Sequence, residues 1–184
     1  MLQEFGIEYE ITIASAHRTP KRVLEYTLSA EKRGIKVLIA GAGWAAHLAG
    51  VVASHTTLPV IGVPIDSSPL KGLDALLATA QMPGGVPVAT MSLGKGGAKN
   101  AGVFAAQILA TGDVKIANRL KVFKVEMERD IEEKAKRLLS ISTAVSPVVK
   151  EAAPPEPAGP VKKKPRRRRW KKKSGGSSSQ DQVS

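Results

Sequence analysis

Between Tyr9 and Met91 the apolar positions fall into short β-branched and aliphatic runs, separated by longer segments of helical spacing. YEITIA, KVLIAGAG, PVIGVP and VPVATM are the runs, most of them closed by Gly or Pro, as buried parallel strands are. The spacing predicts helices over Lys21 to Arg33 (ending at Gly34), Ala45 to Ser54, Leu70 to Ala80, and Ala98 to Ala110 (ending near Gly112). Strands alternating with helices imply right-handed crossovers and an α/β domain whose parallel sheet is covered on both faces.

Asp113 opens a further pattern in which Ile116, Leu120, Phe123, Met127, Ile131, Ala135 and Leu138 recur at three- and four-residue steps. This predicts one amphipathic helix of roughly 25 residues, whose stripe packs on its own domain or on another subunit. After Ser146 the composition turns to Pro, Gly, Ser and charge with almost no aliphatic content. Such a segment cannot bury enough apolar surface to offset its ordering entropy. The expected organisation is therefore a folded α/β domain over 1–142 and a disordered, basic tail over 143–184.

Composition narrows the chemistry. Hydrophobic residues make up 42% of the 184 but aromatics only 4%, so the core must be built from Ala, Val, Ile and Leu. The chain has no cysteine, which excludes disulfides, thiolate-bound zinc, iron–sulfur clusters and a thiol nucleophile. No apolar run reaches the roughly 18 residues that span a bilayer, and residues 1–20 lack a signal-peptide layout. A soluble, cytoplasmic protein is expected. The net charge of +12 belongs mainly to the tail, where the basic residues of 162–173 cluster around Trp170. That cluster could contact nucleic acid or anionic lipid by counterion release, or simply solubilise the chain.

In open α/β sheets ligands sit at the carboxyl ends of the strands, which directs attention to the loops SAHRTP, GAGWAAHLAG, VPIDSSPLKG and MSLGKGGAKNAG. Gly and Pro in these loops allow close backbone approach, and helix N-termini beyond them favour an anion. Together they suggest a phosphate-bearing small molecule. Ser15 and Thr19 offer hydroxyls, Arg18 a fork that can hold phosphate by two hydrogen bonds, and His17 a proton carrier for work near neutral pH. Pro20 suits the first turn of a helix capped by Thr19. The blander account is a helix start with His17 bonded to a carbonyl. His47, three residues after Trp44, orients a substrate or ties two loops together. His55 reads as a helix C-terminal histidine. Asp66 reads as a loop residue and Asp74 as a helix-surface one, so no metal set emerges, and GKGGAKN lacks the order of a triphosphate-binding loop.

The succession SAHRTP, VLIAGAG, AAHLAGVVA, LPVIGVPIDSSPLKGLDALLATAQMPGGVPVATM and GAKNAGVFAAQIL resembles the small catalytic subunit of phosphoribosylaminoimidazole carboxylase. The bacterial form of that family is a mutase of de novo purine synthesis acting on N5-carboxyaminoimidazole ribonucleotide. The similarity runs from about Phe5 to about Leu139. It implies a flavodoxin-like three-layer domain, an octamer with sites where subunits meet, and movement of a carboxylate from the exocyclic nitrogen to a ring carbon of the imidazole ribonucleotide. It implies neither ATP, metal nor organic cofactor. By resemblance His17 is the catalytic acid/base, Ser15 and Arg18 contact substrate, with Arg18 on the ribose phosphate, His47 matches the histidine of the family's AAHLPG stretch, and Gly41, Ala42 and Gly43 line the same pocket.

The family pattern opens with a strand and a Gly-Ser-x-Ser-Asp loop on the substrate's phosphate and ribose. Here LQEFGIEYE resembles instead the end of a first helix running into the second strand, so the resemblance expects a sheet without its first strand and a site without that loop. Trp44 stands where many relatives have Gly, and Ala49 where Pro is common. Two alternatives stay open: a carboxylase using carbon dioxide and the unmodified aminoimidazole ribonucleotide, or an inactive module of this fold with a nucleic-acid-binding tail.

Overall fold

The computed structural model describes residues 1–144. The disordered-tail expectation for the rest lies outside the described residues. The elements are α1 (Pro20–Ala30), β1 (Leu38–Gly43), α2 (Leu48–Ser54), β2 (Val60–Ile65), α3 (Leu73–Ala80), β3 (Ala89–Thr90), α4 (Gly94–Ala110) and α5 (Val114–Ala144). The strands form a parallel sheet in the order β1-β2-β3, with Leu38 opposite Val60 and Ile61 opposite Ala89.

Alternation along β1 and β2 divides the core in two. Leu38, Ala40 and Val60 face Val23 and Ala30 of α1 and Ala49 and Val52 of α2, while Ile61 and Val63 face Ala101 and Ala105 of α4. β2 is buried at every position but its last, as a strand covered on both faces must be. The core is aliphatic, with Phe5 as its large aromatic member, buried to 2% exposure.

Several boundaries differ from the sequence expectation for local reasons. The helix expected from Ala45 starts at Leu48, because Trp44 and Ala46 take left-handed backbone angles of φ +53° and +33°. The helix expected from Leu70 starts at Leu73, after left-handed Lys71 and Gly72. Thr19 occupies the N-cap position of α1, but its hydroxyl does not cap that helix. It accepts from the Ser15 amide at 2.8 Å and donates to the Ser15 carbonyl at 3.2 Å, closing the loop onto itself. The run VPVATM is laddered only at Ala89–Thr90.

The largest correction concerns YEITIA. Residues 7–15 carry no strand pairing, and Ile11 and Ile13 are 82% and 86% exposed. Alternating apolar residues make a strand only beside a neighbour that supplies amides and carbonyls. Between this segment and β1 runs a cleft of about 640 Å³, lined by Tyr9, Ile11, Val37, Ile39, Tyr26 and Leu109. Among the described residues β1 is thus a sheet edge. The segment is held by side chains of α1 and of Arg33 beyond it: Arg22 donates to the Ile13 carbonyl at 3.3 Å, and Arg33 pairs with Glu10 at 2.8 Å while lying over the Tyr26 ring.

Helix ends are closed by a shared device. After α1 a 3₁₀ turn leads to Gly34 at φ +86°, where the amides of Gly34 and Ile35 bond the carbonyls of Glu31 and Ala30. Residues 1–7 repeat that pattern around Gly6, with Ile7 bonding back to Leu2. The LQEFG stretch therefore has the hydrogen bonding of a helix end, as its sequence suggests. Its Phe5 meets Phe123 of α5 edge to face at 5.3 Å, and Arg119 donates to the Phe5 carbonyl.

Candidate active site

A second cleft, of about 630 Å³, lies at the carboxyl ends of β1 and β2. Size does not separate it from the cleft beside Tyr9, but chemistry does. Loop 14–18 brings Ser15, His17 and Arg18; the end of β1 brings Gly41, Ala42 and Gly43, and the turn after it brings His47. Ser15, His17, Arg18, Gly41, Ala42, Gly43 and His47 therefore line one cavity, whereas Thr19, whose hydroxyl is taken up by Ser15, does not. The third loop contributes Ile65 and Ser67, while no residue of the MSLGKGGAKN loop lines it. Ser67 was not singled out from the sequence. Its position two residues beyond the end of β2 was the available signal.

Local bonding explains how each group is held. The 14–18 loop is drawn tight by the Ser15–Thr19 bonds, and Ser15 Oγ accepts from the Arg18 amide at 3.2 Å. The neighbouring loop leaves β1 at Gly43, where a Cβ would overlap Ser67 Oγ, so a side chain there would displace Ser67. The Ala46 amide bonds the Gly43 carbonyl at 3.0 Å, turning the chain so that His47 takes the N-cap position of α2.

That turn carries His47 to His17. The two rings meet nearly perpendicular, centroids 4.9 Å apart, with His17 Nε2 and His47 Nδ1 at 2.8 Å. At that distance one nitrogen donates and the other accepts, so the pair holds one proton between them. Both rings are exposed to the cleft, as is Arg18. Among the described residues no carboxylate lines this cleft and no group of three His, Cys, Asp or Glu side chains could hold a metal ion. The arrangement offers a proton relay of two imidazoles beside a guanidinium, on a floor of Ala and Gly.

His55 ends α2, as expected of a helix C-terminal histidine. Asp66 lies in the loop after β2; Asp74 sits in the first turn of α3 and accepts from Ser68 Oγ at 2.8 Å.

The AIR carboxylase family model matches residues 1–130. The chain belongs to the AIR carboxylase family. It is 59% identical over 141 residues to the N5-carboxyaminoimidazole ribonucleotide mutase of Thermotoga maritima, covering 77% of this chain and 81% of that one. The Bacillus subtilis mutase is 52% identical over 139 residues, covering 76% and 86%. Among solved structures, PurE of Treponema denticola superimposes with a TM-score of 0.65 at 31% identity, covering 74% of this chain and 84% of that one. The flavodoxin-like α/β reading therefore stands for this AIR carboxylase family member. None of its described helices is long and apolar enough to cross a membrane.

Proposed function

We propose that this family member is a mutase of purine biosynthesis, converting N5-carboxyaminoimidazole ribonucleotide to 4-carboxy-5-aminoimidazole ribonucleotide. The observation that carries the reading is the hydrogen-bonded pair of His17 and His47 beside Arg18 in one cleft. The carbamate N–C bond breaks to give carbon dioxide, and His17 gives a proton to the exocyclic nitrogen. The ring carbon then attacks carbon dioxide, and the proton it loses returns to His17. No proton, electron or further reactant is left over. His47 accepts or donates toward His17, holding its ring in place, and Arg18 with the Ser15 hydroxyl grips the ribose phosphate. Gly41, Ala42 and Gly43 leave room for the substrate against the backbone.

The exposed Ile131 and Leu138 of α5 support assembly into the family's octamer, and a charged nucleotide substrate that does not cross bilayers unaided supports a cytoplasmic location. The ten cations within 162–173 support a polyanion contact, tested by RNA binding that falls steeply with salt and is lost on deleting 160–173.

The deciding experiment follows product formation with purified full-length chain and its His17→Asn variant. Turnover by the first and none by a folded second is expected. Equal rates in the two would remove His17 from the role, and no turnover in either would overturn the reading for this chain.

A further inference from the structure

We infer that Trp44 is the ring-binding residue of this cleft, the surface on which the substrate's imidazole stacks. Apart from the histidines it is the one aromatic side chain among the residues lining the cleft, on walls otherwise made largely of Ala, Gly and short polar groups. It is 62% exposed. Its backbone sits at φ +53°, in the left-handed region where a bulky side chain is strained and where glycine is the ordinary occupant. The conformation is enforced from both sides. Gly43 before it is laddered opposite Ile65, and the Ala46 amide after it is bonded to the Gly43 carbonyl. Exposure and strain in one residue beside a binding site are costs without a structural return in the fold, since the indole is in neither core cluster.

The ligand's chemistry supplies the return. An indole face offers a planar, apolar, π-rich surface with little rotamer entropy to lose, suited to a flat heterocycle and not to a phosphate. Arg18 and Ser15 take the anionic end, which leaves the ring between His17 and Trp44. The assignment rests on the carboxylate-migration reading and names the group that recognises the base.

The test uses the full chain carrying Trp170→Phe, so that Trp44 is its single tryptophan. 4-Carboxy-5-aminoimidazole ribonucleotide and ribose 5-phosphate are titrated separately while emission is recorded. Quenching by the first and little response to the second are expected. Trp44→Gly should weaken binding of the ring-bearing ligand about tenfold, with ribose 5-phosphate affected less than about twofold, and Trp44→Phe should recover part of the loss. Emission blind to the ring-bearing ligand, or Trp44→Gly binding it equally or more tightly, would overturn the assignment. If Trp44 responds as expected but the chain makes no product, the catalytic reading fails and the ring site stands. Turnover with an indifferent Trp44 gives the reverse.

Discussion

His17 Nε2 lies 2.8 Å from His47 Nδ1, although thirty residues separate them in the chain. Two protonated nitrogens cannot face each other at that distance, so His47 governs which proton His17 can hold or release. His47→Ala is expected to lower kcat by about 10²-fold with KM nearly unchanged, since the substrate-gripping groups stay in place. His47→Gln, whose amide can still donate or accept, should recover part of that loss. Steady-state kinetics on the three proteins checks this, and a rise in KM at constant kcat would mean that His47 serves binding instead.

Arg18 has its amide anchored on Ser15, while among the described residues its guanidinium meets no acceptor within hydrogen-bond distance. A fork held free at the mouth of the cleft suits a doubly bonded phosphate. Arg18→Met should raise KM by about 10- to 100-fold, the loss of a charge-assisted pair, and leave kcat within a few-fold. Competitive inhibition by inorganic phosphate should weaken in parallel. A variant with an intact phosphate effect would place the phosphate elsewhere.

The site was more legible in the sequence than the sheet was. SAHRTP and GAGWAAHLAG each follow an apolar run, and the rule that ligands sit beyond strand ends brings Ser15, His17, Arg18 and His47 together without coordinates. Nothing local, however, said that Nε2 of one histidine would meet Nδ1 of the other. That depends on the turn at Trp44 and Ala46, whose left-handed angles no non-glycine sequence announces. YEITIA failed for the opposite reason. Its alternation describes what each residue prefers, whereas a ladder is a property of two segments, and Ile11 and Ile13 stay at the surface beside an unpaired flank. In Thr19 the cap residue was legible but its partner was not, because Ser15 competes for the same hydroxyl.

The unpaired segment owes part of its placement to Glu10, whose carboxyl is held below the usual carboxylate range chiefly by its hydrogen bond to Arg33. A folded-state pKa below the unfolded one stabilises the fold above the unfolded value, about 4.3, and the contribution is lost as pH falls through the folded one. Glu10→Gln should therefore melt below wild type at pH 7, with the gap closing as acid protonates the folded carboxylate. The gap should be small, since both partners are partly exposed, and should shrink further in salt. Thermal melts across pH test the sign; a gap that widens in acid would contradict it.

The long helix divides into a packed part and an open part, and the division predicts different behaviour for each. Asp113 accepts from the amides of Lys115 and Ile116 at its start, and Phe123 meets the buried Phe5. Beyond this contact the stripe comes into the open: Met127 is 44% exposed, Ile131 64% and Leu138 68%. Phe5→Ala should cost about 3 kcal/mol through a cavity under α5, read as a lower urea midpoint at every protein concentration. For Ile131→Lys with Leu138→Lys the outcome depends on what covers the stripe. If another subunit does, the variant should keep its far-ultraviolet dichroism but lose mass by light scattering. Wild type should then show a urea midpoint that rises with protein concentration while that of the variant does not. If the stripe faces solvent in the native assembly, the two lysines should change the midpoint by less than about 0.5 kcal/mol equivalent and leave the mass unaltered. The assembly reading requires the first pattern, because an amphipathic stripe extended past its intramolecular partner gains stability only from a surface that removes it from water.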